Sequence, residues 1–213
     1  MTTHATGPDT PADSSRRSSA AAAGSKRLVA HRIVAIDPGS TSTKVAVVLG
    51  GEILAEASLP GGPLGERRRA IADWLAVASP RAFGTVHAVV GRGGLVRPIP
   101  AGVYVVSDEL VADLRAGVRG DHASNLGGLL ARELADAWGV QAFIVDAVAT
   151  DEFASVARVA GIAELERISL LHALNVRAIA RRDCEARGGS LSDANLVVAH
   201  LGGGTSIVAI EAG

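Results

Sequence analysis

The sequence predicts an α/β domain whose mixed β-sheet is flanked by helices, followed by the opening of a second, similar lobe. Three strands in succession precede a series of helix–strand units, an order that is typical of a mixed sheet. One pattern occurs twice, at residues 33–48 and 195–210: an apolar run, a turn of small residues and a second apolar run. Apolar runs rich in Val and Ile and bounded by Gly are typical of buried strands. The repeat therefore predicts a duplicated fold whose second copy has only begun within this chain.

The elements of the first lobe follow from apolar spacing and from Gly, Ser and Pro at their ends. In chain order they are two strands around the first turn, a strand at Glu52–Ser58, a helix at Glu66–Ala78, a strand at Val86–Val90, a loop at Gly91–Gly102, a helix from the N-cap Ser107 to Leu114, a helix at Asn125–Trp138 stopped by Gly139, and a strand at Ala142–Val145. Helical spacing predicts two inward-facing sets of side chains. These are Ile71, Trp74, Leu75 and Ala78 in the first helix, and Leu126, Leu129, Leu130, Leu134 and Ala137 in the helix before Gly139.

Two further helices, at about Glu152–Val159 and Glu164–Arg182, are predicted to lead into the second hairpin. The domain organisation that results has three parts. Residues 1–31 form a disordered tail of Ser, Thr, Ala, Pro and Asp, residues 32–150 form the first lobe, and residues 151–213 form the incomplete start of the second. We therefore expect the purified chain to form no product by itself.

Composition narrows the class of partner and compartment. The chain has 213 residues and a net charge of −1, so nothing in its charge favours nucleic acid or an anionic membrane surface. No apolar run approaches the roughly 20 residues of a membrane span. A single cysteine, Cys184, fits a reducing compartment and predicts a cytoplasmic location.

The two turns are candidate phosphate sites. Ser40, Ser42 and Lys44 surround the first turn, and Gly202–Gly204 form the second, with His200 at the preceding strand end. Small residues let an anion approach the backbone N–H groups closely. Lys44 is the one lysine outside the tail, which suggests a point charge for a phosphate, although chance also explains this placement. A hydrophilic hairpin turn without a ligand is the alternative for Ser40 and Ser42.

Several stretches together resemble the acetate and butyrate kinases, which belong to the superfamily of actin, the sugar kinases and the heat-shock chaperone ATPases. They occur in the family's order and are DPGSTSTK at 37–44, VVGRGGLVRPIP at 89–100, GDHASNLGG at 120–128, FIVD at 143–146, HALN at 172–175 and AHLGGG at 199–204. Within the family, the stretches after the first one resemble butyrate kinase. Acetate kinases usually carry Asn at the positions of Asp37 and Gly203, and the glycine at 203 is similar to that of butyrate kinase.

The resemblance implies an actin-like, ribonuclease H-like fold with two lobes around an active-site cleft. It also implies that the terminal phosphoryl of ATP moves to a short-chain carboxylate such as butyrate, giving an acyl phosphate and ADP, with magnesium as cofactor. The family tends to form homo-oligomers, mostly through the second lobe. A kinase for another short or branched acid and a non-catalytic remnant are the alternatives.

The resemblance also implies roles for individual residues. Arg92 is the favoured ligand of the substrate or the transferred phosphate, because its planar fork suits a carboxylate, whereas Arg97 either shares that role or braces its loop. Asp146 follows a buried strand and is expected nearest the metal, the alternative being a helix cap near Asp151. Asp37 either binds the magnesium or its waters or ends its strand.

Three histidines lie in matched motifs, and a neutral or cationic imidazole can donate to a phosphoryl group. His172 is the favoured catalytic residue, followed by His122 and then His200. Asn125 is a candidate substrate or transition-state contact, or simply the N-cap of its helix.

Overall fold

The computed structural model describes residues 30–78, 84–202 and 204–213. Its strands are β1 (Arg32–Pro38), β2 (Ser42–Leu49), β3 (Glu52–Pro60), β4 (Ala88–Arg92), β5 (Val103–Val105), β6 (Gln141–Val145), β7 (Asn195–Leu201) and β8 (Thr205–Glu211). Its helices are α1 (Leu64–Ala78), α2 (Asp108–Ala116), α3 (Asn125–Trp138) and α4 (Ala173–Ala186), with short 3₁₀ turns at Ser155–Arg158 and Leu191–Asp193. The predicted disordered tail lies almost wholly outside the described residues.

Six strands form one mixed sheet in the order β3-β2-β1-β4-β6-β5. β1, β4 and β6 run parallel, while β2, β3 and β5 are antiparallel to their neighbours. Parallel neighbours end at the same edge of a sheet, so β1, β4 and β6 bring Asp37, Arg92 and Asp146 to that edge. The predicted α/β class with a mixed sheet is confirmed.

Helices α1 and α3 cover one face of the sheet, and the main core lies between them. Alternate strand residues point into it, including Val34 and Ile36 of β1 and Val45 and Val47 of β2. Val89 of β4 also lies in this core. None of the helices in the described ranges is long and apolar enough to cross a membrane.

Close packing of β4 against α3 depends on two glycines. A Cβ atom placed on Gly91 would collide with the backbone of Gly127, and one placed on Gly127 would collide with the backbone carbonyl of Arg92. The helix therefore touches the strand directly. This contact fixes the position of the Arg92 backbone at the sheet edge.

The second predicted hairpin is confirmed as a separate two-stranded sheet, β7–β8. Its inward residues pack on a small second core formed by Ala180 and Cys184 of α4 and by Leu191 of the following 3₁₀ turn. Its outward residues, Val197 and Leu201 among them, are exposed. No residue of the Gly202–Gly204 turn that the structure describes is helical.

Three predictions about the elements are wrong, and one strand was missed. Residues 152–159 hold only the 3₁₀ turn, and residues 164–172 are not helical, so the long predicted helix shrinks to α4. Residues 161–168 are all exposed, and without a buried face so short a segment gains too little to form a helix.

Strand β5 was not predicted, because three residues give too little pattern. Ala137 is exposed, and Ala131 and Ala135 fill the inward face of α3 instead.

Candidate active site

A cleft of about 710 Å³ lies on the sheet face that α1 and α3 leave free. Alternation along each strand points one set of side chains into the core and the next set into this cleft. Its apolar floor consists of Ala35, Ala46, Val90 and Val145, and Leu174 of α4 adds one wall. Its charged residues include Asp37, Lys44 and Arg92. The cleft is thus apolar at its base and charged at one end.

The charged end is built by strand register. Asp37 is the cross-strand partner of Lys44, and Arg92 lies at the end of the strand on the other side of Asp37. Arg92 Nη1 lies 3.3 Å from Asp37 Oδ1. A half-exposed ion pair of this kind contributes little to stability. Glu56 also lines the cleft, so its charges balance overall, but Lys44 and Arg92 both stand at the end where an anionic ligand would bind.

The first turn comprises the four residues Gly39–Ser42, which lie between the last paired positions of β1 and β2, Pro38 and Thr43. Its backbone is closed by the bond from the Gly39 N–H to the Ser42 carbonyl, at 2.8 Å. The turn is also held from below by Arg67 of α1, whose side chain is buried. Sequence reasoning missed Arg67, although its position four residues before Ile71 places it on the buried face of α1.

His172 and His200 stack face to face beneath the second turn. Their ring centroids lie 3.9 Å apart with an interplanar angle of 13°. His172 contacts Ser206 Oγ through its backbone N–H at 3.3 Å and through Nδ1 at 3.0 Å. His200 Nδ1 lies 3.0 Å from Asn175 Oδ1. Sequence reasoning did not single out Ser206 and Asn175, which orient the two rings.

Burial lowers the pKa of His172, and electrostatic interaction with His200, Arg92 and His122 lowers it further. The imidazole of His172 is therefore held neutral near pH 7. Because Arg92 and His122 both influence this pKa, three of the predicted site residues share one electrostatic environment. His122 itself is exposed, and its Nδ1 accepts the Ser124 N–H at 3.2 Å.

The second turn lies directly against His172. A Cβ atom added to Gly204 would lie 3.1 Å from His172 Cε1, so a side chain there would press on the ring. Gly202 faces His200, whose Nε2 would lie 3.6 Å from an added Cβ. Gly203 lies outside the described residues.

Asp146 ends the strand that lies beside Arg92. Its backbone is left-handed, with φ of 38°, and its carboxylate accepts the Gly102 N–H at 2.9 Å. Arg177 Nε of α4 lies 3.7 Å from the other carboxylate oxygen. The alternative role as a cap for a helix near Asp151 is wrong, since no α-helix begins there in the described part of the chain.

Arg97 and Asn125 make contacts within the protein. Arg97 Nη2 pairs with Asp113 at 2.8 Å, which ties its loop to α2. Asn125 is buried, accepts the Leu95 N–H at 2.8 Å and donates to the Gly120 carbonyl at 3.0 Å. The N-cap alternative for Asn125 is wrong, because Ser124 occupies that position. Both residues brace the loops that follow β4.

The residues that the structure describes hold no group of three His, Cys, Asp or Glu side chains arranged for a metal ion. Magnesium needs fewer protein ligands, because it is usually bound by one or two carboxylates together with water and substrate phosphates. Asp37 and Asp146 at the common sheet edge fit that requirement.

Solved structures define the class of the fold. The chain matches the crystal structure of Porphyromonas gingivalis acetate kinase with a TM-score of 0.61 at 18% identity, covering 84% of this chain and 54% of that one. A Francisella tularensis propionate kinase matches with a TM-score of 0.59 at 15% identity, covering 84% and 54%. The fold is therefore that of the acetate and propionate kinases, and the predicted actin-like class is confirmed.

The sequence relatives are more specific. Butyrate kinase 2 of Clostridium acetobutylicum is 43% identical over 193 residues, 85% of this chain and 54% of the relative. Butyrate kinase 1 of the same organism is 41% identical over 189 residues, 83% and 53%. This chain is a relative of the butyrate kinases, as the motifs predicted, and it spans about half the length of the curated relatives it matches. No protein-family model matches the chain.

Proposed function

We propose that this chain supplies one lobe of an ATP-dependent kinase that transfers the terminal phosphoryl group of ATP to a short-chain carboxylate such as butyrate. One observation carries the proposal. Lys44 and Arg92 line one cleft, and Arg92 lowers the pKa of His172, in a chain that is 43% identical to a butyrate kinase over 85% of its length. In this proposal residues 32–150 are the first lobe and residues 151–213 begin the second.

The chemistry explains why the site needs cationic groups. A carboxylate substrate is already ionised at pH 7, since its pKa lies near that of Asp and Glu, at about 4. No strong base is needed. The difficulty is that an anionic carboxylate must approach a phosphate of the same sign, so the site must supply positive charge, hydrogen-bond donors and alignment.

The first turn binds the phosphates in this proposal. Ser40 and Ser42 offer hydroxyl groups and turn N–H groups, and the exposed ammonium of Lys44 adds a point charge. Gly202, Gly203, Gly204 and His200 approach the same phosphates from the second hairpin. Two turns on opposite hairpins can then hold the nucleotide between them.

Arg92 binds the substrate carboxylate or the transferred phosphoryl group. Asp37 contacts one nitrogen of its guanidinium, and the close contact of β4 with α3 fixes its backbone. The remaining N–H groups of the planar fork can bind two oxygens at once. The apolar floor beside Arg92 suits the alkyl tail of the acid. Arg97, Asn125 and His122 support this site from the adjoining loops.

His172 donates a hydrogen bond to the phosphoryl group in transfer. Ser206 Oγ accepts a hydrogen bond from the backbone N–H of His172. The hydroxyl proton of Ser206 is then available for donation to Nδ1 of the His172 ring. In that tautomer the proton of the ring lies on Nε2. A neutral Nε2–H donor held by Ser206 and by stacking on His200 is oriented before the substrate arrives.

Magnesium would be held by Asp146, with Asp37 or its bound water as a second oxygen. When bound, it supplies positive charge to the phosphate oxygens. Asp146 is suited to this place because it is buried and fixed by the Gly102 N–H. A cytoplasmic location and a homo-oligomeric state complete the proposal.

A chimera tests this function. Residues 32–213 would replace the matching segment of Clostridium acetobutylicum Butyrate kinase 2, and acyl phosphate formed from ATP, magnesium and butyrate would be trapped with hydroxylamine. We expect product at a rate of about 1–100 per second. A folded chimera that forms no product with butyrate, longer acids or branched acids would contradict the proposal. Comparison of the acids identifies the preferred substrate.

A further inference from the structure

Arg67 is a buried cation without a carboxylate partner. Its side chain is 3% exposed, and none of the carboxylates in residues 30–78, 84–202 and 204–213 lies within ion-pair distance. Buried charges in proteins are ordinarily paired, because removal from water is costly. The guanidinium is permanently charged. Its location beneath the first turn therefore calls for an explanation beyond helix packing.

Four hydrogen bonds join the Arg67 fork to two loops. Nη2 donates to the Gly39 carbonyl at 3.0 Å, and Nη1 donates to the Ser42 carbonyl at 3.2 Å and to Thr43 Oγ1 at 2.6 Å. Nε donates to the Gly62 carbonyl at 2.6 Å. Three acceptors belong to the β1–β2 hairpin, and the fourth belongs to the loop after β3. The bonds compensate the burial of the fork, but they leave its charge in place.

These bonds determine where the turn N–H groups point. In a trans peptide the C=O and the next N–H point in opposite directions. Because the Gly39 carbonyl points towards Arg67, the Ser40 N–H points away from it. The Thr41 carbonyl is likewise engaged, by the Gly61 N–H at 3.0 Å, so the Ser42 N–H points away from that contact. With the Gly39 carbonyl held by Arg67, the Ser40 N–H lies on the side of its peptide away from the fork, where an anion can approach it.

We propose that Arg67 is the positioning residue of the phosphate turn: it holds the turn carbonyls inward and its unpaired charge adds to the attraction for the phosphate. The inference rests on the proposed function, since it assigns Arg67 to the same phosphate site. Arg67 does not touch the phosphate. It acts through Gly39 and Ser42, and it links the turn to α1 and to the loop at Gly61-Gly62.

The experiment uses the 213-residue chain and inorganic tripolyphosphate as the probe. Amide NMR of Gly39–Ser42, hydrogen exchange at those amides and titration calorimetry would be compared among wild type, Arg67→Met, Arg67→Lys and Arg69→Met. Arg69 is the matched control because it is an exposed arginine of the same helix. Urea unfolding of each variant separates stability from binding.

We expect Arg67→Met to move the turn amides, speed their exchange and weaken tripolyphosphate binding about tenfold or more. Arg67→Lys keeps the charge without the fork and should fall between Arg67→Met and wild type, while Arg69→Met should match wild type. A purely structural arginine would lower the free energy of unfolding and leave affinity and turn amides unchanged, which would overturn the proposal.

Two further outcomes remain decisive. If Arg67→Met does not fold, Arg67→Lys and Thr43→Val take its place, since Thr43→Val removes one contact of the fork with little change of shape. Unchanged turn amides in both would overturn the proposal. If the wild type does not bind tripolyphosphate, the proposed phosphate site fails, but the amide signals without ligand still decide whether Arg67 positions the turn.

Discussion

The two hairpins share a sequence pattern and differ in what surrounds them. β1–β2 lies inside a six-stranded sheet, and Ile36 on its inner face is 3% exposed. β7–β8 is a sheet of two strands, and Ile207 on its outer face is 70% exposed. An apolar run thus predicts a strand in both places. Whether both faces of that strand are buried depends on neighbours that lie elsewhere in the sequence.

The turns differ in a way that bears on function. Four residues separate the last paired positions of β1 and β2, whereas three separate those of β7 and β8. At the base of the first turn Asp37 faces Lys44, and at the base of the second His200 faces Ser206. The first hairpin therefore brings fixed charges to the site, and the second brings an imidazole and a hydroxyl group.

The largest expected effect concerns burial. Ile36→Ala should lower the free energy of unfolding by about 2–5 kcal/mol, because it leaves a cavity in the main core. Ile207→Ala makes the same chemical change on an exposed face and should cost under about 0.5 kcal/mol. Urea denaturation of both variants measures the difference. Equal losses would mean that the outer face of the second hairpin is buried in solution.

The second prediction concerns the fixed charge that Lys44 brings to the first hairpin. In the chimera, Lys44→Ala should slow acyl phosphate formation tenfold or more, since a charge-assisted contact contributes about 1.5–3 kcal/mol. Lys44→Arg should also be slow, because the broader guanidinium does not replace a compact ammonium. Arg69→Ala serves as the control that removes a positive charge outside the site. A rate for Lys44→Ala equal to that of the parent chimera would exclude Lys44 from the phosphate site.

A smaller effect is expected from crowding at the second turn. Gly204→Ala places a methyl group against the His172 ring, and overpacking of this kind costs about 1–3 kcal/mol. The His172 Cε1–H signal should shift, and transfer in the chimera should slow. Gly161→Ala is the control, because an added Cβ there meets nothing within 4 Å. An unshifted His172 signal in Gly204→Ala would argue against contact between turn and ring.

The smallest effect is a pH dependence of stability. The pKa of His172 is lowered in the folded chain, so the unfolded chain binds more protons below about pH 6.5. The contribution of neutral His172 to the free energy of unfolding is therefore intact above that pH, and it is lost as the pH falls towards the lowered pKa. Urea unfolding at several pH values should give a flatter profile for His172→Gln than for wild type. Parallel profiles for the two proteins would contradict the assignment.

Local pattern was enough to predict both hairpins and helix α3, because each has its own apolar period and its own terminating Gly. It failed for residues 164–172, because residues 164–168 are exposed and a helix there would have no buried face. It also failed for β5, which exists as a strand through its pairing with β6. Among the site residues, Lys44, Arg92 and His172 stood out through their motifs, whereas the contacts of Arg67, Ser206 and Asn175 join positions 25 to 34 residues apart in the chain.

The contact of Gly91 with Gly127 limits how this site can be redesigned. Since neither position accepts even a methyl group, strand β4 cannot be raised or tilted without separating it from α3. Libraries that randomise these two glycines should return mostly unfolded proteins. In the proposed kinase, variation in the accepted acid would instead enter through side chains on the open floor, such as Ala35, Ala46 and Val90, whose backbones already lie in a stable sheet.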